Sequence, residues 1–172
     1  MNVAALVSQI LEAYEVNGKT FSNEEWGEIA KVVEVIPPFP RIPGPLFLPT
    51  MGKVVPACVE LVLIRNKRVL LTYRNDKFFT GYHTPGTYIA PGETWQQAAQ
   101  RCSDKEINVK IISARPLMPV NHPDSPRFHD LSNLIHCEFE GEPKAGKWFS
   151  ECPIDLIEIH KPYWRYIEPL LF

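Results

Sequence analysis

The chain has 172 residues and a formal net charge of −2 at pH 7. This length suits one domain with a substantial core, and the weak negative charge argues against binding to duplex DNA or RNA. No apolar run approaches the roughly 18 residues of a membrane span, and the N-terminus lacks the basic start and cleavage site of a signal peptide. We therefore expect a cytoplasmic protein, whose four scattered cysteines are reduced and buried rather than bound to zinc or paired in disulfides.

Two helices are predicted at the N-terminus. Apolar residues recur at helical spacing from Val3 to Val16, and Gly18 is a helix stop. A second helix, EEWGEIAKVVEV, begins at Ser22 or Asn23, both of which are good N-cap residues. Residues 1–36 are therefore interpreted as an α-helical hairpin that extends the domain.

A proline-rich segment follows at residues 37–50. Six prolines fall within the stretch IPPFPRIPGPLFLP, which argues against a helix or a central strand. Because the segment also carries large apolar residues, we interpret it as an extended strap packed on the domain rather than as a free proline-rich recognition motif. Together with the hairpin, the strap is the surface expected for a homodimer.

Residues 51–172 are predicted to form an α+β domain. Two strands, VVPACVELVLI and RVLLTYR, flank the turn RNK and make a hairpin. A helix runs from about Thr94 to Glu106, and a last helix begins at Pro162. Three further strands are VKIISARPLMPV, RFHDLSNLIHCEFEG and KWF. Strands before and after a central helix indicate a sandwich of helices on a sheet.

The most informative stretch is residues 85–109, PGTYIAPGETWQQAAQRCSDKEINV, in which a loop runs into the central helix. It resembles the Nudix box, a glycine, five residues, a glutamate, seven residues, and then R-E-U-x-E-E-x-G-U, where U is aliphatic. Glu93, Arg101, Glu106 and Val109 match this pattern. Four positions depart from it, namely Thr87, Cys102, Lys105 and Asn108. The resemblance implies an α/β/α sandwich with a mixed sheet, and hydrolysis of a nucleoside diphosphate linked to another group.

The departures limit the metal chemistry that the resemblance implies. Mg²⁺ prefers oxygen ligands, and the family places glutamates at the positions of Cys102, Lys105 and Glu106. Only Glu106 remains, so a cluster of several ions is not expected. A single Mg²⁺, or Mn²⁺, would be held by Glu106 and the Gly86 carbonyl, with Glu142 as the third ligand. Glu93 and Arg101, two helical turns apart, are expected to form an ion pair beside this centre.

One branch of the family shares these losses. GDP-mannose mannosyl hydrolases lack the same two glutamates, keep the last one, use a single Mg²⁺ and attack the sugar carbon. The segment LLTYRND resembles LLGKRxN of that branch, and GYHTPG resembles GYWFVPG. By this resemblance Arg74 contacts the diphosphate through its guanidinium group. The catalytic histidine of the branch falls near Pro143, which cannot act as a base, so the other histidines are considered either as a replacement base or as structural residues. His129 is our first candidate, while His122 and His83 are alternatives.

Two questions stay open at the level of sequence. The aromatic residues beside the box either stack on a substrate or belong to the core; they are Tyr73, Tyr82, Tyr88 and Trp95, of which we assign Tyr88 to substrate binding. Lys105 either hinders metal binding or pairs with a substrate phosphate. The chain is therefore predicted to be a Mg²⁺-dependent hydrolase of a nucleotide sugar or related compound. The alternative is a Nudix-fold binding or regulatory module that has lost catalysis.

Overall fold

The computed structural model describes residues 22–172, and it divides the chain into two compact units, one ending at Ile42 and the other running from Pro43 to Phe172. In the first unit, helix α1 spans Asn23–Glu34. Its N-cap is Ser22, whose hydroxyl accepts the Glu25 N–H while the Glu25 carboxylate accepts the Ser22 N–H. The second predicted helix is thereby confirmed, whereas the first, at Val3 to Val16, lies outside the described residues.

The second unit begins with a helix where none was expected. Helix α2 spans Gly44–Met51, so the prediction that the proline-rich segment excludes a helix was wrong. Pro45 falls in the first turn, where a missing N–H breaks no helical bond, and only Pro49 costs the helix a hydrogen bond. The apolar side chains compensate by packing, since the ring of Phe47 lies 5.9 Å from that of Tyr88 and 6.1 Å from that of Phe128.

Seven strands form one mixed sheet in this unit. They are β1 (Ala57–Arg65), β2 (Arg68–Asn75), β3 (Thr80–His83), β4 (Gly86–Tyr88), β5 (Lys110–His122), β6 (Asp130–Glu140) and β7 (Lys147–Phe149). The main order is β3-β2-β1-β6-β5, with β4 paired to β1 and β7 paired to β2. Only β1 and β6 run parallel, and every other pair is antiparallel. The predicted strands are confirmed.

Along one of its two edges, strand β1 pairs first with β4 and then with β2, and this change of partner positions the site. Its end pairs with β2 across a two-residue turn, in which Asn66 and Lys67 have φ of 51° and 58°, as a type I′ hairpin requires. Its beginning pairs instead with β4, where Glu60 lies opposite Gly86. Strands β2 and β4 therefore separate beside the middle of β1. Side chains from β1, β2 and the β3–β4 loop meet at this opening.

Helices cover both faces of the sheet. Helix α3 (Trp95–Glu106) packs on one face through Ala98, Ala99 and Cys102, against alternate residues of β1. The opposite face is covered by the C-terminal segment, a 3₁₀ turn (Glu158–Tyr163), helix α4 (Trp164–Ile167) and a second 3₁₀ turn (Glu168–Leu170). This segment begins at Glu158 and not at Pro162 as expected. The architecture is the predicted α+β, α/β/α sandwich.

Two details of the sequence are explained by this arrangement. Strand β5 tolerates Pro116 and Pro119 because it lies at the sheet edge, where one side of the strand has no hydrogen-bonding neighbour. Cys58, Cys102 and Cys137 are free and buried as predicted, whereas Cys152 is free but exposed. Among residues 22–172, no helix has the length and apolar character needed to cross a membrane.

Candidate active site

The loop before α3 is fixed by an ion pair and a helix cap. Thr94 caps α3 by accepting the Gln97 N–H, and the Gln97 side chain accepts the Thr94 N–H in return. Arg101 donates to both oxygens of Glu93, at 2.6 and 2.7 Å, and also to the Tyr88 carbonyl at 2.7 Å. The predicted Glu93–Arg101 pair is therefore confirmed. It ties α3 to β4 and holds the loop between them.

Gly86 makes room for a buried acid. A Cβ atom at Gly86 would lie 2.5 Å from the Glu60 carboxyl oxygen, so a larger residue would collide with that side chain. The need for glycine here is steric, since the φ of Gly86 does not lie in the left-handed region. Glu60 is only 8% exposed and accepts a 2.6 Å hydrogen bond from the Thr84 hydroxyl. Burial raises its pKa to about 8, so the carboxyl is mostly protonated at pH 7.

His160, from the C-terminal segment, completes this buried group. The Thr84 N–H donates to its Nδ1 at 3.3 Å, and its Nε2 lies 3.9 Å from a Glu60 oxygen. Burial, with added repulsion from His83, His122 and Arg74, lowers the pKa of His160 well below its usual range. Glu60 and His160 are therefore both neutral at pH 7, and their contact is not an ion pair.

A pocket of about 550 Å³ opens beside the end of α3. It is lined by Thr72, Tyr73, Arg74, His83, Lys105, Glu106, Ala145 and Gly146. Strand β2 supplies three of these residues, the end of α3 supplies two, and the loop before β7 supplies two more. The pocket lies where β2 and β4 separate, next to Gly86.

Opposite charges face each other in this pocket. Glu106 is half-buried, and its carboxylate accepts the Gly86 N–H and, at 3.4 Å, the Thr72 hydroxyl. Burial raises the pKa of Glu106, while the positive charges of Arg74 and Lys105 oppose that rise. Arg74 lies 3.6 Å from Asp76 through its Nε. Because Asp76 also faces Arg74, an anionic ligand in this pocket would share the two cations, Arg74 and Lys105, with the carboxylates of Glu106 and Asp76.

His83 is the histidine that the structure places in the pocket wall. Its Nδ1 lies 2.7 Å from the Thr84 carbonyl oxygen, and its Nε2 lies 3.2 Å from the Thr72 hydroxyl. Burial, followed by the charge of Arg74, lowers the pKa of His83 to about 4. The ring is therefore neutral at pH 7.

Apart from the Glu93–Arg101 pair, the predicted site residues separate into two groups. Arg74, Lys105 and Glu106 come together in the pocket, with Gly86 hydrogen-bonded to Glu106. Three others lie outside the pocket lining. Glu142 is paired with Arg65 at 2.6 Å with its side chain 86% exposed, His129 is bonded to Asn121 at 2.6 Å, and Tyr88 is buried among aromatic rings. Their predicted roles stay predictions.

Four residues of the site were not predicted from the sequence, namely Glu60, Thr72, Thr84 and His160. The available signal was the acid in the run ACVELVLI, since a carboxyl within a buried strand needs a specific partner. Thr72 and Thr84 give no such signal, because threonine is ordinary in strands. His160 comes from a distant segment and is brought in only by the tertiary fold.

The donor set limits which metal centre the site can hold. Within residues 22–172, no group of three or more His, Cys, Asp or Glu side chains is spaced to bind an ion. Cys102 is 1% exposed in the core, and Lys105 brings a positive charge, so neither position fits a cluster of several ions. One Mg²⁺ does fit, since it is commonly bound by one or two carboxylates with water and substrate phosphates. Glu106 is the carboxylate available in the pocket.

The fold and this pocket together define a class of protein. It is an α/β/α sandwich in which a loop, held by a Glu–Arg pair, leads into a helix whose last turn carries a carboxylate at a cationic pocket. The class is recognisable in sequence as well. The NUDIX domain matches residues 56–165, more than half of the chain, and the protein belongs to the Nudix family.

Solved structures of Nudix proteins share this fold. A MutT NUDIX hydrolase from Burkholderia pseudomallei is 20% identical with a TM-score of 0.60, the match covering 66% of this chain and 98% of that one. A putative nudix hydrolase from Chromobacterium violaceum is 21% identical with a TM-score of 0.55, covering 68% and 79%. A bifunctional NMN adenylyltransferase/ADP ribose pyrophosphatase from Francisella tularensis, complexed with AMP and a manganese ion, is 20% identical with a TM-score of 0.57, covering 87% and 49%. No curated protein matches the chain.

Proposed function

We propose that the protein hydrolyses a nucleoside diphosphate derivative, such as a nucleotide sugar, with one divalent cation. The observation that carries this proposal is the convergence of Arg74 and Lys105 on a pocket that also holds the Glu106 carboxylate. A diphosphate supplies the negative charge that the two cations favour. The Nudix fold supports the same class of substrate.

Four residues that line the pocket have a role in this proposal. The Arg74 guanidinium binds phosphate oxygens through paired N–H groups, and Lys105 adds a second positive charge. Glu106, with the Gly86 backbone, would hold Mg²⁺ or Mn²⁺. When bound, the ion neutralises charge on the diphosphate and favours its departure. Tyr73 lines the pocket and is 56% exposed, which suits a ring that packs against a base or a sugar.

The losses at Cys102 and Lys105 favour attack on the sugar carbon. Attack on phosphorus would place water beside several metal-bound carboxylates, and this pocket offers one. Attack on carbon needs fewer metal-bound carboxylates, because the diphosphate departs as a stabilised anion. The GDP-mannose mannosyl hydrolase branch, which shares the losses, is therefore our candidate for the reaction type.

A binding or regulatory module is the second candidate, and Lys105 is the observation that favours it. Its exposed ammonium group stands beside Glu106, where the family carries another glutamate. A fixed positive charge at this position can bind a phosphate without activating water. The protein would then recognise a nucleotide and not cleave it.

A turnover screen separates the two candidates. The purified protein would be tested with Mg²⁺ against nucleotide sugars, nucleoside triphosphates and dinucleoside polyphosphates, with free sugar and released phosphate measured separately. We expect free sugar and intact nucleoside diphosphate. Glu106→Gln should abolish this turnover, whereas Asp104→Asn, on the exposed face of the same helix, should retain it. The absence of turnover, together with stabilisation by a nucleotide and hydrolysis gained by Lys105→Glu, would instead favour the binding module.

A further inference from the structure

The hydrogen bonds of His83 fix which of its nitrogens carries the proton. A carbonyl oxygen only accepts, so Nδ1, 2.7 Å from the Thr84 carbonyl, must be the protonated nitrogen. In a neutral ring Nε2 then has a free lone pair. That lone pair lies 3.2 Å from the Thr72 hydroxyl oxygen, so Thr72 is the donor in this bond. The buried backbone thus holds the imidazole in the form that accepts a proton on its pocket side.

Thr72 stands between His83 and Glu106. Its single hydroxyl hydrogen can reach either His83 Nε2 at 3.2 Å or the Glu106 carboxylate at 3.4 Å, but not both at once. When the hydrogen points to His83, the oxygen lone pairs of Thr72 face the pocket beside Glu106. An attacking water held near Glu106 can then donate a hydrogen bond to Thr72. A continuous path runs from that water through Thr72 to His83.

We propose that Thr72 and His83 form a proton relay that accepts the proton of the attacking water. The relay rests on the hydrolytic function proposed above, and it assigns the base to a buried pair rather than to His129. Thr72 contacts the water, and His83 acts through Thr72 and is thus a positioning residue and terminal acceptor.

The proton balance of the relay is complete. As the water oxygen bonds to the sugar carbon or the phosphorus, its O–H bond breaks and the proton passes to the Thr72 oxygen. The original hydroxyl proton of Thr72 passes to Nε2 of His83, which leaves Thr72 neutral and His83 as an imidazolium. After attack on carbon, the nucleoside diphosphate departs with the electron pair of the broken C–O bond; after attack on phosphorus, a phosphate monoester departs with the electron pair of the broken P–O bond. His83 afterwards returns its proton through Thr72 to the solvent or to the product.

Substrate binding strengthens the acceptor. The charge of Arg74 is the second cause that disfavours protonation of His83, after burial. A diphosphate bound to Arg74 cancels that repulsion, so the basicity of His83 rises when the pocket is filled. The Nδ1 bond to Thr84 further stabilises the imidazolium, because a charged donor makes a stronger hydrogen bond.

A double-mutant cycle on the full chain tests the relay with GDP-mannose and Mg²⁺. Thr72→Val keeps the shape and removes the hydroxyl, and His83→Gln keeps polar contacts but accepts no proton. Each single variant should lose about 100-fold in kcat with KM nearly unchanged, which is the typical range for a lost acid–base group. The double variant should lose no more than either single variant, because both substitutions break one path. Thr72→Ser, which keeps the hydroxyl, should rescue most of the kcat.

Two control measurements separate a loss of folding or of phosphate binding from a loss of the relay. Each variant would be checked for its melting temperature and for binding of inorganic pyrophosphate, which needs Arg74 and Lys105 but not the relay. Multiplicative losses in the double variant, or wild-type kcat in Thr72→Val, would overturn the relay and leave the hydrolase proposal standing. If the wild-type protein hydrolyses none of the nucleotide sugars, nucleoside triphosphates or dinucleoside polyphosphates in the turnover screen, the hydrolase proposal fails and the relay fails with it.

Discussion

Gly86 and Glu60 offer a sharp test of how the site is built. Substituting Gly86→Ala places a methyl group 2.5 Å from one Glu60 oxygen and 2.7 Å from the other, well inside van der Waals contact. Glu60 cannot simply turn away, since it is 8% exposed and bonded to Thr84 at 2.6 Å. Either the bond breaks or the strands separate. We expect a loss of about 1–3 kcal/mol in the free energy of unfolding, the usual cost of overpacking a core.

The same substitution should become harmless when the acid is shortened. In a Glu60→Ala background the methyl group that Gly86→Ala introduces enters the space that the carboxyl occupied. Gly86→Ala should then cost less than about 0.5 kcal/mol, since a strand favours alanine over glycine. The interaction energy of the cycle is the difference between these two costs, about 0.5–3 kcal/mol. Urea unfolding of the wild-type, the two single variants and the double variant measures it.

One result would refute this reasoning. If Gly86→Ala destabilises the protein equally with Glu60 present and absent, the glycine is not needed for the acid. The m-value must stay constant across the four proteins, so that a change in midpoint reports stability. Ser103, buried in the last turn of α3 and hydrogen-bonded to Val109, offers a control position. Ser103→Ala should destabilise both backgrounds equally, because it removes the hydrogen bonds to Val109.

Three further predictions follow from charges and hydrogen bonds. Burial raises the pKa of Glu60 from about 4.5 to about 8. The contribution of this carboxyl to the free energy of unfolding is therefore fully present below pH 4.5 and is lost as the pH rises through 8. Glu60→Gln should therefore gain stability relative to the wild type between pH 5 and pH 9, as urea unfolding at several pH values would show, and a constant difference would contradict the shift. Arg101→Lys should cost about 1–3 kcal/mol, since lysine cannot replace the paired bonds to Glu93, and an unchanged melting temperature would show that the pair adds nothing. Arg74→Ala should weaken binding of inorganic pyrophosphate by at least about tenfold at low salt, and calorimetry with equal affinities would remove Arg74 from the phosphate site.

Local patterns predicted most of the fold. The strands of the hairpin and the central helix follow from alternation, helical spacing and caps, which are properties of neighbouring residues. Asn108 also behaves as its position suggests, with φ of 57° just after α3, where the family pattern has glycine. The proline rule failed at α2, because tertiary packing of Phe47 outweighs one lost hydrogen bond.

The site was predicted only where the motif, or the segment LLTYRND that carries Arg74, named its residues. Glu93, Arg101 and Glu106 are separated by fixed steps along one helix and loop, so a sequence pattern can specify them. The contacts of Glu60 with Thr84 and His160 join residues as far as 100 positions apart, and no local spacing encodes them. The assignment of a base illustrates the same limit. His129 was chosen from its sequence neighbours, whereas the histidine that lines the pocket is His83.

The two missing glutamates differ in how easily they can be restored. Lys105 is exposed at the pocket, so a single substitution there changes the charge beside Glu106 without disturbing the packing of the core. Cys102 is 1% exposed and packed with Ala98, Ala99 and Ile107. A glutamate at that position would bury a carboxylate or push α3 away from the sheet, and neighbouring residues would have to change with it. A single substitution at Lys105 can thus place a carboxylate at the pocket, whereas a glutamate at Cys102 also requires changes in the side chains packed around it.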